Sequence, residues 1–198
     1  ILGSAILMYV GHGNPDVLAH EQLFVLSRDI SEIRNGRRLP LMYTAASQVG
    51  VFDDPSRRSM PEVLLNRADG GVIGFISATR VGVHGPNMFL AHHFLRQMFR
   101  GADADVPVGL GLTLAKQKPE SLEGMREIIQ RYSLLGDPAT RLALPGRDID
   151  LELPASLAAM GEGSLSGQIL DALGQVDPGF DGSAWIKVFD AEANVSIE

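Results

Sequence analysis

Two short apolar runs, each closed by a turn, constrain the fold of this chain most strongly. The first lies in residues 5–13 and ends in a Gly-His-Gly turn, and the second lies in residues 39–50 and ends after Ser47. Short, continuously apolar runs bounded by turn residues are typical of strands that are buried on both faces of a parallel sheet. The pattern therefore predicts an α/β fold with a mostly parallel sheet flanked by helices.

The segment between the two runs is long enough to connect them as parallel neighbours. About 25 residues separate the runs, which is sufficient for a right-handed crossover. Apolar residues in residues 17–33 recur at mostly helical spacing, so we expect this crossover to be a helix. The carboxyl ends of the two strands, with His12 and Ser47, would then lie side by side.

Strand ends of this kind are where open α/β sheets place ligands and catalytic groups. A histidine on one strand end and a nucleophile position on the next form a dyad geometry. Glycines beside the histidine let the backbone approach a ligand, and nearby N–H groups can stabilise an oxyanion. We therefore interpret His12 and Ser47 as candidate catalytic residues.

These residues resemble the gingipain-like cysteine peptidases, a family of the caspase clan that includes the sortase-like peptidase of the bacterial type IX secretion system. Tyr-Val-Gly-His-Gly-Asn is followed, 35 residues after the histidine, by the serine of Ala-Ala-Ser-Gln-Val-Gly-Val-Phe-Asp-Asp-Pro. The resemblance covers roughly residues 5–146, and it places Ser47 where the family has its catalytic cysteine. It implies a caspase-like fold, hydrolysis of polypeptides without a cofactor or metal, and a secreted or cell-surface location.

The same resemblance implies roles for individual residues. His12 would be the general acid or base, and the N–H groups of Gly13 and Ser47 would stabilise the oxyanion. Gln48, Arg80 and His84 are expected to contact the substrate, with the loop at 80–84 as one wall of the pocket. As a hypothesis, Arg80 would select an acidic P1 residue.

The chain departs from the family in one decisive respect, because it contains no cysteine. An alcohol has no anion near neutrality comparable to a thiolate, so Ser47 is a poor nucleophile with only a histidine partner. Either a Cys-to-Ser change was made to inactivate the enzyme, the explanation that we favour, or the natural protein lost its nucleophile. In the second case the chain is a pseudopeptidase that binds a polypeptide partner.

A third interpretation, a serine hydrolase of the α/β-hydrolase type, has little support. No Gly-x-Ser-x-Gly elbow surrounds Ser47, and no acidic residue follows in the order that this class requires.

Composition excludes several other classes of function. The net charge of −7 argues against a nucleic-acid or anionic-membrane surface, because such surfaces depend on clustered Lys and Arg. The sequence contains no uninterrupted run of 18 apolar residues, so it predicts no transmembrane helix. His92 and His93 point about 100° apart on a helix and cannot chelate one metal from a single face. Asp53 and Asp54 are weak evidence for calcium, since a capping loop explains them equally well.

The remaining chain predicts the following elements: a helix at 61–67 capped by Ser59, a buried strand at 72–79, helices at 88–100, 108–116 and 122–132, and a tight turn at Asp137 followed by an apolar strand.

Two domains are expected, with a boundary near residue 146. Residues 1–146 would be the second half of a caspase-like peptidase domain, whose amino-terminal part lies outside this sequence and would be a partner of it. Residues 147–198 contain alternating apolar residues and frequent turns, which indicate the start of an immunoglobulin-like β-sandwich, with a hairpin arm at 180–190.

Overall fold

A computed structural model describes residues 4–99, 105–117, 124–144, 147–152, 163–171 and 174–182. The chain divides into two compact units, Ile1–Gly146 and Arg147–Glu198, which we describe separately. In chain order, the first unit contains β1 (Ile6–Val10), β2 (Val17–Leu18), β3 (Phe24–Val25), α1 (Leu26–Asp29), a 3-10 turn (Ile30–Glu32), β4 (Leu41–Ala45), α2 (Met60–Leu65), β5 (Gly74–Ala78), α3 (His84–Met98), α4 (Val108–Lys116), α5 (Met125–Arg131) and β6 (Tyr132–Gly136).

The first unit is built on a four-stranded sheet in the order β1-β4-β5-β6. β1 pairs with β4 and β4 pairs with β5 in parallel, whereas β6 is antiparallel to β5. Every residue of β4 and of β5 is buried, because helices or loops cover both faces of these central strands. The prediction of a mostly parallel sheet flanked by helices is confirmed.

Successive residues of β4 enter two different cores, as the alternation of side chains along a strand requires. Tyr43 faces α3 and packs against Phe94 and Tyr132, with ring centroids 5.4 Å and 5.7 Å apart. Met42 faces the opposite core, which contains Met60 of α2. The sheet is thus fixed from both sides, and its strand ends form a rigid base for the loops that follow.

The crossover from β1 to β4 is not the predicted helix. β2 and β3 form an antiparallel ribbon, and only Leu26–Asp29 is α-helical before the 3-10 turn. The side chain of Asn14 accepts hydrogen bonds from the N–H groups of Asp16 and Val17, which holds the chain in a turn after the histidine. Ala19 has a φ of 65° and Gln22 a φ of 57°, and this left-handed backbone closes the ribbon.

Helix α2 and its cap agree with the sequence prediction. The carboxylate of Glu62 accepts hydrogen bonds from the N–H and the hydroxyl of Ser59, at 2.8 Å and 2.7 Å. This capping box starts the helix at Met60, and Pro61 lies in its first turn, where a missing N–H costs nothing.

Other boundaries differ in detail. The third strand is shorter than 72–79, α3 begins at His84 rather than at Met88, and α4 spans the predicted range. The apolar residues near position 134 form β6 before Asp137, so the strand that was predicted after this residue is wrong. Asp137 forms the expected turn by accepting the N–H of Ala139 at 2.8 Å.

The second unit contains an antiparallel pair, β7 (Asp148–Glu152) and β8 (Ser166–Leu170). Arg147 pairs with Asp177 at 2.6 Å. The predicted hairpin arm at 180–190 lies mostly outside the described residues, and the immunoglobulin-like assignment stays a prediction. Among the residues that the structure describes, no helix combines the length and the hydropathy needed to cross a bilayer.

Candidate active site

The register of the sheet places His12 and Ser47 at the same level. Val10, the last residue of β1, pairs with Ala45, the last residue of β4, and each candidate lies two residues further along its own strand. Neighbouring strands are about 4.8 Å apart. The histidine turn and the serine loop therefore leave the sheet as direct neighbours on one edge.

The two loops are in contact through Gly13. A methyl group at Gly13 would lie 2.8 Å from Cγ2 of Val49 and 3.3 Å from Cβ of Ala46. Ala46 precedes Ser47 directly, so the turn that carries His12 packs against the start of the nucleophile loop. A glycine at position 13 is what allows this approach.

The main chain of His12 is held firmly, while its imidazole is exposed. The carbonyl oxygen of His12 accepts hydrogen bonds from the N–H of Ala19 at 2.9 Å and from the hydroxyl of Tyr9 at 2.7 Å. The imidazole makes no hydrogen bond or ion pair within the part of the chain that the structure describes. An imidazole so exposed is accessible to a ligand.

The Ser47 side chain is half-buried and bonds to the loop after β5. Its oxygen accepts the N–H of Gly82 at 3.0 Å, and its hydroxyl lies 3.2 Å from the carbonyl oxygen of the same residue, to which it donates. Neither bond involves His12. Position 47 thus lies between the histidine turn and residue 82, and its hydroxyl is satisfied by the latter.

Two backbone N–H groups at the site have no acceptor among the described residues, namely those of Gly13 and Ser47. The N–H of Gln48, by contrast, donates to the carbonyl oxygen of Arg80 at 3.2 Å. Gln48 has a φ of 57°, a left-handed conformation that costs energy in a residue with a side chain. This conformation turns the chain sharply just after the nucleophile position.

The side chain of Arg80 is engaged within the protein. It donates to both carboxylate oxygens of Asp53, at 3.0 Å and 2.5 Å, and to the carbonyl oxygen of Thr79 at 2.7 Å. The guanidinium lowers the pKa of the Asp53 carboxyl. Selection of an acidic P1 residue by Arg80 stays a prediction, and this ion pair stands against it.

The other acidic and basic candidates lie as follows. Asp54 accepts from the hydroxyl of Ser56 and pairs with Arg57, so both acids of the suggested calcium loop are occupied by protein donors. No group of three or more potential ligands for a metal occurs within the described ranges. His84 is the exposed first residue of α3 and follows the loop that contains Gly82.

The sequence did not indicate the roles of Tyr9 and Gly82. Tyr9 lies within an apolar strand and reads as a core residue, and nothing local shows that its hydroxyl reaches the carbonyl of His12. Gly82 meets Ser47 across 35 positions of the chain. Both contacts follow from the three-dimensional arrangement of loops at the sheet edge.

The sheet topology defines a caspase-like α/β fold, with His12 and Ser47 following the ends of adjacent strands. A sequence profile of peptidase family C25 matches residues 2–143, which is well over half of the chain. The chain belongs to this family of cysteine peptidases, and the resemblance to gingipains is confirmed.

Solved structures give the same fold. The chain is similar to the Arg-specific cysteine proteinase gingipain R, with a TM-score of 0.61 and 16% identity over 78% of this chain and 37% of that one. A complex of the pro- and mature domains of RgpB from Porphyromonas gingivalis matches with a TM-score of 0.61 and 15% identity, over 78% and 38%. A structure described only as a protease matches with a TM-score of 0.61 and 16% identity, over 85% of this chain and 42% of that one.

The chain thus spans about two fifths of the length of these structures. No curated protein matches its sequence.

Proposed function

We propose that this chain carries the catalytic dyad of an endopeptidase that uses a cysteine at position 47, and that the serine present there inactivates it. The single observation that carries the proposal is the equal offset of His12 and Ser47 beyond the paired residues Val10 and Ala45. This offset brings the exposed imidazole of His12 and position 47 to one edge of the sheet. The contact of Gly13 with Ala46 supports the same arrangement.

The roles follow from the chemistry of acyl transfer. With a cysteine at position 47, the thiolate sulfur attacks the carbonyl carbon of the scissile bond, and the carbonyl π electrons move to oxygen. The N–H groups of Gly13 and Ser47, which have no acceptor among the described residues, would donate to that oxyanion. His12 then protonates the leaving nitrogen as the C–N bond breaks, and it later takes a proton from the water that hydrolyses the acyl-enzyme.

The serine prevents this sequence for two reasons. Its hydroxyl has a pKa far above neutrality, so a lone imidazole removes its proton poorly. The hydroxyl also bonds to both backbone groups of Gly82, and it must leave both before it can approach His12. We expect no measurable peptide hydrolysis from the chain as it stands.

The expected substrate is a polypeptide that binds at the same edge of the sheet. Gingipain R is described as an Arg-specific cysteine proteinase, and RgpB as a complex of its pro- and mature domains, and these descriptions support a polypeptide ligand. We expect Gln48, His84 and the loop at 80–84 to contact such a chain. A secreted or cell-surface location is proposed from the family alone.

The free edge of β1 supports a polypeptide partner that completes the domain. β1 ends the sheet order among the described residues, and Leu7 and Val10 on it are 48% and 42% exposed. A cavity of about 490 Å³ opens beside it and is lined by apolar side chains including Leu18, Phe24 and Leu64. An amino-terminal part of the same domain, pairing with β1, would cover these groups.

A second candidate function is a pseudopeptidase that binds a polypeptide without cleaving it. The observation that favours it is the pair of hydrogen bonds made by the Ser47 hydroxyl. It donates to the carbonyl oxygen of Gly82 and accepts from the N–H of the same residue, which suits a structural role. A serine codon at position 47 of the native gene would favour this candidate, and a cysteine codon would favour the peptidase.

The experiment is the variant Ser47→Cys, assayed with a fluorogenic peptide library and with an electrophilic peptide probe. The peptidase proposal predicts hydrolysis and covalent labelling of this variant, with neither in the original chain or in Ser47→Ala. His12→Ala in the Ser47→Cys background is the matched control, and it should abolish turnover by removing the general acid and base.

The two candidates give opposite results. If Ser47→Cys neither cleaves nor labels, while the original chain and Ser47→Ala bind the library peptides equally well, the pseudopeptidase is correct. Far-UV circular dichroism of every variant shows whether the fold is retained.

A further inference from the structure

Among the described residues, the hydroxyl of Tyr9 makes the only side-chain hydrogen bond to the main chain of His12. It donates to the carbonyl oxygen of His12 at 2.7 Å, three residues along the chain. The ring of Tyr9 packs, partly buried, against the core that contains Leu18. This packing supports the aromatic ring on one side, and partial burial raises the pKa of Tyr9, so the hydroxyl stays protonated as a donor.

Gly11 is shaped to admit this hydroxyl. A methyl group at Gly11 would lie 2.5 Å from the oxygen of Tyr9, closer than two unbonded atoms approach. The N–H of Gly11 continues the ladder by donating to Ala45 at 3.4 Å. The turn therefore leaves the sheet, passes over the Tyr9 hydroxyl and presents His12 at a defined place.

The contact matters because the imidazole has no partner of its own in the described residues. In many dyads and triads a third group orients the base through the second ring nitrogen. Here the position of the ring depends on its own backbone, which is held by the Tyr9 hydroxyl on one side and by the N–H of Ala19 on the other.

We propose that Tyr9 is a positioning residue that aims His12 at position 47, an inference that rests on the proposed function. Loss of its hydroxyl leaves the His12 carbonyl with one donor and lets the turn move. Because proton transfer depends on placement to within about 1 Å, such a movement lowers the rate of the chemical step and leaves substrate binding largely unchanged.

The test is Tyr9→Phe in the Ser47→Cys background, with Tyr43→Phe as the matched control. Tyr43 is also a tyrosine of the central sheet, but its buried hydroxyl has no hydrogen-bond partner in the described structure, so its removal tests only the loss of a hydroxyl. We expect Tyr9→Phe to lower kcat by roughly 3-fold to 30-fold with KM within about 2-fold. Tyr43→Phe should change neither constant by more than about 2-fold.

A second measurement separates this inference from the proposed function. Backbone order parameters of His12 and Gly13 are measured by NMR in the original serine chain with and without Tyr9→Phe. We expect them to fall from roughly 0.85, the value of rigid backbone, toward 0.6.

Unchanged order parameters would overturn the role of Tyr9, whether or not Ser47→Cys is active. A parallel loss in kcat for both Phe variants would also overturn it, because the effect would then be one of general stability. If Tyr9→Phe loosens this backbone in the original serine chain while Ser47→Cys does not cleave, the peptidase is refuted, and Tyr9 is left as a residue that holds the backbone of a binding site.

Discussion

Replacing Gly13 by alanine tests the contact on which the site depends. The new methyl group would lie 2.8 Å from Cγ2 of Val49, 3.3 Å from Cβ of Ala46 and 3.4 Å from Cδ2 of Leu18. The first distance is about 1 Å shorter than a normal carbon contact. Val49 and Ala46 are fully buried, so neither can move without disturbing the core beside β4.

The loss of unfolding free energy in Gly13→Ala can be estimated from this overlap. Inserting a methyl group into a packed region costs about 1–3 kcal/mol. For a chain of this size, each 1 kcal/mol shifts Tm by roughly 2–4 °C, so Gly13→Ala should lower Tm by about 2–12 °C. The same displacement separates the histidine turn from the nucleophile loop, so turnover in the Ser47→Cys background should fall as well.

Gly85→Ala provides the matched control. Gly85 is the second residue of α3, and a methyl group there would meet no atom within 4 Å. The substitution should be neutral or should stabilise by about 0.4–1 kcal/mol, because it restricts the unfolded chain. Thermal unfolding followed by circular dichroism compares the two variants. If Gly13→Ala is as stable and as active as Gly85→Ala, the two loops do not pack as described.

Three further outcomes follow from the structure. Asp29→Asn should weaken the dependence of unfolding stability on pH in acid. Arg28 and the Val25 N–H hold the pKa of Asp29 at about 2, below its ordinary value, so the stability that Asp29 contributes is present above about pH 4 and is lost as the pH falls toward 2. An unchanged dependence of stability on pH in acid titrations would contradict this. Arg80→Ala with Ser47→Cys should leave the P1 preference of a peptide library unchanged, because Asp53 already occupies the guanidinium; a lost preference for acidic residues would show the opposite. Ser59→Ala should destabilise by about 0.5–2 kcal/mol in urea unfolding through loss of the hydroxyl from the α2 capping box, and no change in the midpoint would refute that role.

Much of the sheet, and the position of His12 and Ser47 after neighbouring strands, were predictable from sequence. The two apolar runs were predicted to be strands buried on both faces, and the long crossover was predicted to make them parallel neighbours. They are parallel neighbours, and β4 is fully buried, but β1 lies at the end of the sheet order with Leu7 and Val10 exposed, so its predicted burial is wrong. With His12 and Ser47 directly after those runs, their adjacency at one edge follows from the period of the strands. The capping of α2 was equally local, since Ser59 and Glu62 are three residues apart.

The crossover could not be predicted in the same way. Its apolar residues fit a helical spacing, but left-handed backbone at Ala19 and Gln22 turns the chain into a ribbon. Neither residue is a glycine, so the sequence contains no mark of these conformations. Tertiary contacts decide them, in particular the bond from Ala19 to the carbonyl of His12.

The partners of the site residues were also beyond the sequence. Arg80 reads as a free cation at a strand end, yet it is 27 positions from the carboxylate that binds it. The bond of Ser47 to Gly82 depends on how the loop after β5 folds back over the edge of the sheet. Composition and spacing locate such residues, but they do not show which polar groups satisfy each other.

The pH dependence of thiol alkylation in Ser47→Cys tests the central claim most directly. The original chain has no cysteine, so every alkylated thiol in this variant reports on position 47. If His12 and position 47 lie within reach of each other, the imidazolium stabilises the thiolate, and the midpoint falls at least one pH unit below the roughly 8.5 of a free cysteine. Adding His12→Ala should return the midpoint to roughly 8.5. Identical midpoints with and without His12 would show that the two residues do not form a dyad.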